Sequence, residues 1–349
     1  MRLALRAVSL PSLAVALCAG CGNPSGPGSA RDVITVQNVS RLRRIASLSM
    51  PASAIGFVAF SPDDSLLLTK DRTGEVLAWE TSDWSRSTLQ PPFYTPQQAD
   101  SALVPFYPTI ALGPDGRVMA TVTSARGDVS VREVGGAELS TFAYGSQIYA
   151  VAISPDGRLV AVGGLNGDVV VRELATGAPV ADLVCDRQFV SVLVFSPDGR
   201  TLVAGYERPG NLMKAWSTST WQETATFSVM AERVDFHDAA FTPDGGHLVI
   251  ARVGLTEPNV IEVLDASTYQ VVRRISSQVS AYQLAFSPDG SLLASSWGSV
   301  ELWQGATSAS ARSISSGGAE TLSVAFSPDG TLLAFGVGGV GVQVWAVAR

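Results

Sequence analysis

One tetrapeptide occurs seven times along this chain of 349 residues, and its prolines are 40 to 52 residues apart. The copies read Pro-Asp-Gly or Pro-Asp-Asp after a small residue, and they begin at Ser61, Gly113, Ser154, Ser196, Thr242, Ser287 and Ser327. Proline presets φ in a tight turn, aspartate can hydrogen-bond the local backbone, and glycine adopts the positive φ that closes the turn. A repeat of this length predicts one supersecondary unit copied seven times.

The segments that flank each turn have the pattern of strands. Apolar runs such as Val192–Phe195 and Leu202–Ala204 are short and bounded by turn residues, which is typical of buried strands. A third, alternating strand follows in each unit, for example Val300–Trp303, and then a fourth and more polar one, for example Val271–Ile275. Three inner apolar strands and an outer mixed strand predict a four-stranded antiparallel blade. Seven such blades predict an all-β, seven-bladed β-propeller.

The order of these elements resembles the bacterial WD-repeat β-propeller family. The last copy, for instance, joins Val324–Gly330 to the strand Val342–Trp345. The resemblance covers roughly residues 40–349 and implies the propeller fold, but not a function, because this fold has many roles. A propeller of the quinoprotein or lactonase-like types is the alternative fold.

The chain departs from the family pattern in two respects. The Trp-Asp pair that ends a family repeat is replaced here by Trp79-Glu80, Arg132-Glu133, Arg172-Glu173, Trp216-Ser217, Leu264-Asp265, Trp303-Gln304 and Trp345-Ala346. The Gly-His pair that opens many family repeats is missing from all seven copies. The His/Ser/Asp/Trp hydrogen-bond network that the resemblance would imply therefore cannot be complete.

The seventh copy has no fourth strand after its third. The segment Val39–Leu48 alternates like a strand and precedes the first blade. We predict that it completes the seventh blade and closes the ring, which leaves no exposed edge at the join. Deletion of residues 39–48 should then unfold or aggregate the protein.

The N-terminus has the features of an export signal. Arg2 and Arg6 precede a short apolar stretch, Ala7–Leu17, which is too short to span a membrane. Small residues before Cys21 and a Gly/Pro/Ser-rich stretch after it resemble a bacterial lipoprotein signal, which implies cleavage before Cys21 and lipidation of its thiol. We therefore predict a signal peptide over residues 1–20, a lipid-anchored flexible linker over 21–38 and the propeller over 39–349. Ordinary signal cleavage with an incidental cysteine is the alternative.

This assignment predicts an exported protein that is lipid-anchored in the cell envelope, in the outer membrane or at the periplasmic or extracellular face. The net charge of −7 argues against nucleic acid or anionic headgroups as a main partner. We expect a monomer whose only link to the membrane is the lipid. Cys185 is the one cysteine left in the propeller, so no intramolecular disulfide can form.

Catalytic patterns are scarce. His237 and His247 are the only histidines. We interpret His237 as a loop residue before the strand Ala239–Phe241, although with Asp238 it could form half of a metal or acid–base site. The turn aspartates lack the spacing of a calcium loop. The sequence therefore predicts no catalytic residue, no metal and no cofactor.

A partner surface is predicted on the face opposite the Pro-Asp-Gly turns, because arginines and aromatic residues are the usual anchors of protein interfaces. The candidates are Arg72, Arg126, Arg187, Tyr206, Arg208, Arg233, Phe236 and Trp297. The longest spacer adds an aromatic insertion with Phe93, Tyr94, Phe106 and Tyr107. This insertion either binds a partner or caps the channel of the propeller.

Together these features predict a non-catalytic scaffold that binds an unidentified protein at the cell envelope. One alternative is an exported propeller enzyme, lactonase-like or hydrolase-like, with a metal in the channel. Another is an envelope glycan binder that uses Trp297 and the aromatic insertion.

Overall fold

Seven antiparallel sheets of four strands make up the described part of the chain. The computed structural model describes residues 31–50, 55–90, 109–124, 126–184, 189–207, 212–228, 234–254, 260–276, 281–307 and 309–348. The first strands of most successive sheets contact each other, and the first contacts the last, so they form the inner wall of a closed ring. The fold is the all-β, seven-bladed propeller that the repeated turn predicts.

The strands are short and nearly uniform in length. The first half of the chain contains β1 (Leu42–Leu48), β2 (Ile55–Phe60), β3 (Leu66–Asp71), β4 (Val76–Glu80), β5 (Arg86–Gln90), β6 (Ile110–Leu112), β7 (Val118–Val122), β8 (Asp128–Glu133), β9 (Glu138–Ala143), β10 (Ile148–Ile153), β11 (Leu159–Gly164), β12 (Val169–Glu173) and β13 (Pro179–Leu183). The second half contains β14 (Phe189–Phe195), β15 (Thr201–Glu207), β16 (Leu212–Ser217), β17 (Glu223–Ser228), β18 (Val234–Phe241), β19 (His247–Gly254), β20 (Val260–Asp265), β21 (Val271–Ser276), β22 (Gln283–Phe286), β23 (Leu292–Trp297), β24 (Ser299–Gln304), β25 (Ser310–Ser315), β26 (Val324–Phe326), β27 (Leu332–Val337) and β28 (Gly341–Val347). Blade 1 is β2–β5, blade 2 is β6–β9, blade 3 is β10–β13, blade 4 is β14–β17, blade 5 is β18–β21, blade 6 is β22–β25, and blade 7 is β26–β28 with β1.

The ring is closed by the N-terminal strand, as the sequence predicts. Strand β1 pairs antiparallel with β28, so that Leu42 lies opposite Val347 and Leu48 opposite Val342. Leu42 is fully buried in a cluster shared by blades 6 and 7. The first and last strands of the propeller are thus neighbours in one sheet.

The residues that precede the closing strand are packed against the propeller. A short 3-10 turn spans Val39–Arg41, and Ile34, only 1% exposed, belongs to the same buried cluster as Leu42. The N–H of Ile34 donates to the carbonyl of Gly330 at 2.8 Å. The compact unit therefore begins at Arg31, and residues 31–38 are not part of the flexible linker predicted over 21–38.

The hydrophobic core lies between neighbouring blades. Between blades 3 and 4, for example, Val171 of β12 and Leu202 of β15 are buried in one cluster. Each blade has apolar side chains on both sheet faces, which explains why the inner strands read as nearly continuous apolar runs.

The Pro-Asp-Gly turns contact one another around one end of the ring. A Cβ on Gly116, whose φ is 66°, would lie 2.2 Å from Cδ of Pro62 in the preceding blade, so only glycine allows this approach. In blades 3 to 7 a Cβ on the turn glycine would lie 3.4 to 3.8 Å from the nearest atom of the proline in the preceding blade. Blade 1 carries Asp64 in this position, with a φ of 59°.

The tryptophans that end the third strands keep part of the hydrogen bonding that the family resemblance implies. Nε1 of Trp79 donates to Thr69 Oγ1 at 3.0 Å, and Nε1 of Trp303 donates to Ser295 Oγ at 3.1 Å. Each bond links the third strand of a blade to its second strand. No histidine continues either hydrogen bond into the His/Ser/Asp/Trp network of the family, because both histidines of the chain lie in blade 5.

Candidate interaction face

The propeller has two faces that differ in their connections. Successive strands run in opposite directions, so the turns after the first and third strands of each blade lie on one face, which we call the turn face. The connections after the second and fourth strands lie on the other, which we call the loop face. The Pro-Asp-Gly turns belong to the turn face, and the sequence predicts the partner residues on the loop face.

The aspartate that follows each turn proline accepts hydrogen bonds from groups of its own turn. Asp63 Oδ1 accepts the Ser61 hydroxyl at 2.6 Å, and the N–H of Leu66 donates to Ser61 Oγ at 2.9 Å. The hydroxyls of Ser61 and then Ser65 hold the pKa of Asp63 below its ordinary value. Five other turns, all except the one with Gly113, have a Ser or Thr that donates to the turn aspartate in the same way.

The described ranges contain no group of three or more His, Cys, Asp or Glu side chains that could hold a metal ion. Because each turn carboxylate is engaged locally, the turns have a structural explanation that requires no calcium. In the same part of the chain, no helix is long and apolar enough to cross a membrane.

Three predicted partner residues lie at the surface of the loop face. Arg72, in the β3–β4 connection, and Trp297, the last residue of β23, are half-buried, and Arg126, in the β7–β8 connection, is exposed. The remaining candidate residues lie outside the described residues, together with the predicted lipidation site and the cysteine of the propeller; they are Arg187, Arg208, Arg233, Phe93, Tyr94, Phe106, Tyr107, Cys21 and Cys185.

Two predicted surface aromatics belong to the core instead. Tyr206 is 2% exposed and Phe236 is fully buried. The strands β15 and β18 extend further toward the loop face than their apolar patterns indicate, so both residues lie in strands rather than in loops. Tyr206 packs edge-on against Trp216 at 6.4 Å, and Phe236 lies between blades 4 and 5. Neither ring is available as a surface anchor.

A stack of three rings lies on the loop face across blades 5 and 6. The ring centroids of His237 and Tyr282 are 3.9 Å apart, and those of Tyr282 and Trp297 are 4.4 Å apart at an interplanar angle of 8°. All three rings are half-buried. The connection from β23 to β24 is Gly298 alone, which places Trp297 at the tip of its hairpin. We call these residues the aromatic stack.

A β-bulge places His237 in this stack. The register between β18 and β19 shifts between Phe236 and Asp238, so His237 is the residue left out of the pairing. Bulges redirect a side chain out of the regular alternation. The prediction of a loop histidine was therefore wrong, because His237 lies within β18.

The same position differs from blade to blade. The bulges of blades 1, 3 and 4 leave out Gly56, Tyr149 and Ser191. Tyr149 meets Phe189 edge-on at 5.5 Å. Blades 3 to 6 thus carry aromatic rings at the loop-face end of the innermost strands, which line the channel of a propeller. An alignment of the repeats on their turns would have placed Tyr149, His237 and Tyr282 in one column.

Polar contacts join the inner strands next to the stack. Asp238 Oδ2 accepts the N–H of Leu284 at 2.8 Å, from blade 5 to blade 6. Gln283 Oε1 accepts the N–H of Val324 at 2.9 Å, from blade 6 to blade 7. Burial raises the pKa of Asp238 to about 7. These bonds fix the relative position of the blades that carry the aromatic stack.

Two polar clusters around buried charged side chains, one at Lys70 and one at Glu262, have structural roles away from the aromatic stack. Lys70 Nζ donates to Thr109 Oγ1 at 2.9 Å and to Thr121 Oγ1 at 3.2 Å, across the join of blades 1 and 2, and burial lowers the pKa of Lys70 to about 7. Glu262, fully buried in blade 5, places Oε1 2.8 Å from Arg274 Nε and 3.3 Å from Nη2 of the buried Arg252.

The fold and its faces define the class: the protein is a seven-bladed β-propeller. Two segments, residues 136–172 and 270–304, match the family described as WD domain, G-beta repeat. Each match runs from the fourth strand of one blade to the third strand of the next. Sequence repeats with these bounds begin with a fourth strand, and the fourth strand that precedes blade 1 is β1, which belongs to blade 7. Together the matches and the ring support a WD-repeat propeller. None of the curated proteins compared with the chain matches it.

Proposed function

We propose that this protein is an exported, lipid-anchored and non-catalytic scaffold, which binds a protein partner at the cell envelope through its loop face. Export and anchoring rest on the signal-like N-terminus and on Cys21. Binding rests on the class of fold, since propellers built from WD repeats commonly serve in protein interaction.

The aromatic stack is the observation that carries the binding proposal. Aromatic side chains are common anchors of interfaces, and rings that are already ordered lose little conformational entropy when a partner docks. Trp297 is held against Tyr282, which in turn lies against His237, so its position does not depend on a partner. Arg72 and Arg126 add guanidinium groups to the same face.

Affinity capture from envelope extracts tests this proposal. Truncation of a central aromatic anchor costs about 2 kcal/mol or more, which is roughly a 30-fold loss of affinity. We expect Trp297→Ala to lose the captured protein and Trp297→Phe, which keeps a ring in the stack, to retain most of it. Trp221→Ala is the matched control, because Trp221 is a half-buried tryptophan of the turn face. Equal capture by Trp297→Ala and wild type would remove the stack from the proposal.

An envelope glycan is the second candidate ligand, because half-buried rings can also pack against the apolar faces of sugars. The same variants distinguish the two ligands. Retention of a purified envelope polysaccharide that is lost in Trp297→Ala, without capture of any protein, would favour the glycan.

A further inference from the structure

The chain enters the propeller on the turn face. Ile34 is bonded to Gly330 in the turn of blade 7, and a Cγ atom of Val33 lies 3.2 Å from the position of a Cβ on Gly330. The side chain of Asn38 fastens the same segment, since Nδ2 donates to the Val33 carbonyl and Oδ1 accepts the Thr35 N–H, both at 2.8 Å. The path from Val33 to β1 is therefore fixed to this face.

Only nine residues, 22–30, separate Cys21 from Arg31. Fully extended, a tether of this length spans about 35 Å. To reach the loop face from the turn of blade 7, the tether must first pass outward across the blade, a distance of three strand spacings of about 4.8 Å. It must then run along the length of one strand, about 20 Å. That path would use the whole of a fully extended tether. The loop face could therefore rest on a membrane in which Cys21 is anchored only with the tether fully extended, which the conformational entropy of a Gly/Pro/Ser-rich tether opposes.

The turn face carries a negative charge. Its Pro-Asp turns contain eight aspartates, whereas only three arginines, Arg117, Arg158 and Arg200, directly follow these turns. The aspartates are Asp63, Asp64, Asp115, Asp156, Asp198, Asp244, Asp289 and Asp329. The Thr242 hydroxyl and the Gly246 N–H hold the pKa of Asp244 below its ordinary value, so this carboxylate is ionised at neutral pH. Anionic headgroups repel such a surface, so the turn face stands off the membrane at the length of the tether and does not lie on the headgroups.

We propose that the anchored protein stands with its turn face toward the membrane and its loop face, with the aromatic stack, away from it. This inference rests on the lipid anchoring in the proposed function. The partner is then a water-soluble protein, or the soluble domain of a protein, that approaches from the side remote from the anchoring membrane. In this orientation the aromatic stack points away from the lipid of the anchoring membrane.

Energy transfer to the membrane tests this orientation in the lipidated protein. Arg158 and Leu165 lie directly before and after β11, on the turn face and the loop face of one blade, and both are exposed. In a Cys185→Ser background, Arg158→Cys or Leu165→Cys carries the donor dye. The protein is inserted into preformed phosphatidylethanolamine–phosphatidylglycerol vesicles that contain a rhodamine-labelled lipid, and donor lifetimes without acceptor provide the reference.

We expect clearly stronger transfer from position 158 than from position 165, because a six-residue strand separates the dyes by about 20 Å along the axis of the ring. Equal or reversed transfer would overturn the orientation while leaving the anchoring intact. Failure of the protein to float with the vesicles would show that the lipid anchoring itself is wrong, and the orientation would fall with it.

Discussion

The backbone N–H of Asp329 points at the carboxylate of Asp64, 3.1 Å from Oδ2, across the join between the last and the first blade. At the other six joins a turn glycine lies against the proline of the preceding blade. The turns of blades 7 and 1 therefore meet through a polar contact, whereas the turns at the other six joins meet through a glycine and a proline. Burial, and then the negative charge of Asp329, raise the pKa of Asp64 to about 6.

The raised pKa of Asp64 makes the stability of the ring depend on pH. Its carboxylate is harder to ionise in the folded state than in the unfolded chain, where its pKa is about 3.9. The stabilisation is therefore present below pH 4 and is lost as the pH rises to about 6. We expect Asp64→Asn, which keeps an oxygen for the Asp329 N–H, to raise the free energy of unfolding at pH 8 by about 1 kcal/mol, after allowance for solvent screening.

Urea unfolding of wild type and Asp64→Asn at pH 5 and pH 8 measures this effect. The variant should keep part of the wild-type pH dependence, because Asp238 titrates with a pKa of about 7. Asp64→Gly also removes the charge, so it should flatten the pH dependence of the free energy of unfolding about as much as Asp64→Asn does. A dependence that is the same in wild type and in both variants would contradict the assignment.

The closing strand provides a matched pair of variants. Leu42 is fully buried and Ile45, at the irregularity of the same strand, is 45% exposed. We expect Leu42→Ala to lower the free energy of unfolding by about 2–4 kcal/mol, and Ile45→Ala to change it by less than about 1 kcal/mol. Urea denaturation checks both values. Similar losses in the two variants would show that β1 is not held against the ring as described.

The buried ion cluster of blade 5 is sensitive to the loss of one partner. Glu262→Ala leaves the buried Arg252 guanidinium without its carboxylate, and we expect a loss of about 3–5 kcal/mol in thermal or urea unfolding. The double variant Glu262→Met with Arg252→Met should recover much of that loss, because apolar residues can replace a buried ion pair. Additive losses in the double variant would argue against a coupled pair.

An aromatic turn residue stabilises the outer strands at the expense of backbone strain. Tyr269 has a φ of 55° and its ring stacks on Phe227 of the preceding blade at 4.3 Å. Tyr269→Gly relieves a strain of about 1–2 kcal/mol, but it removes a large half-buried ring. We expect a net loss of stability by calorimetry, whereas Tyr269→Phe should stay close to wild type. A gain of stability with glycine would mean that the ring contributes little.

Much of the fold could be predicted from the sequence because the turn motif is local. Pro, Asp and Gly specify a turn by their own backbone preferences, and the flanking apolar runs specify strands, so the number of blades followed from pattern alone. The closing strand did too, although it is predicted over Val39–Leu48 and spans Leu42–Leu48, with Val39–Arg41 in a 3-10 turn. The packing of residues 31–38 could not be predicted in this way, because it depends on the distant Gly330.

The site was harder to predict because its members are far apart in sequence. The sequence places Tyr206 and Phe236 close to loops and so predicts them at the surface, yet strand extension buries them. Trp297 was a predicted partner residue, but its contact with Tyr282 and His237 depends on a bulge and on the join of two blades. Neither feature has a local sequence signal.

The most direct test of the loop-face proposal is photo-crosslinking in the intact cell envelope, with benzoylphenylalanine placed at position 297 or at position 221. Both positions carry half-buried tryptophans, and they lie on opposite faces. We expect a discrete crosslinked protein from position 297 and none from position 221. The same product from both positions, or a product from position 221 alone, would contradict the assignment of binding to the loop face.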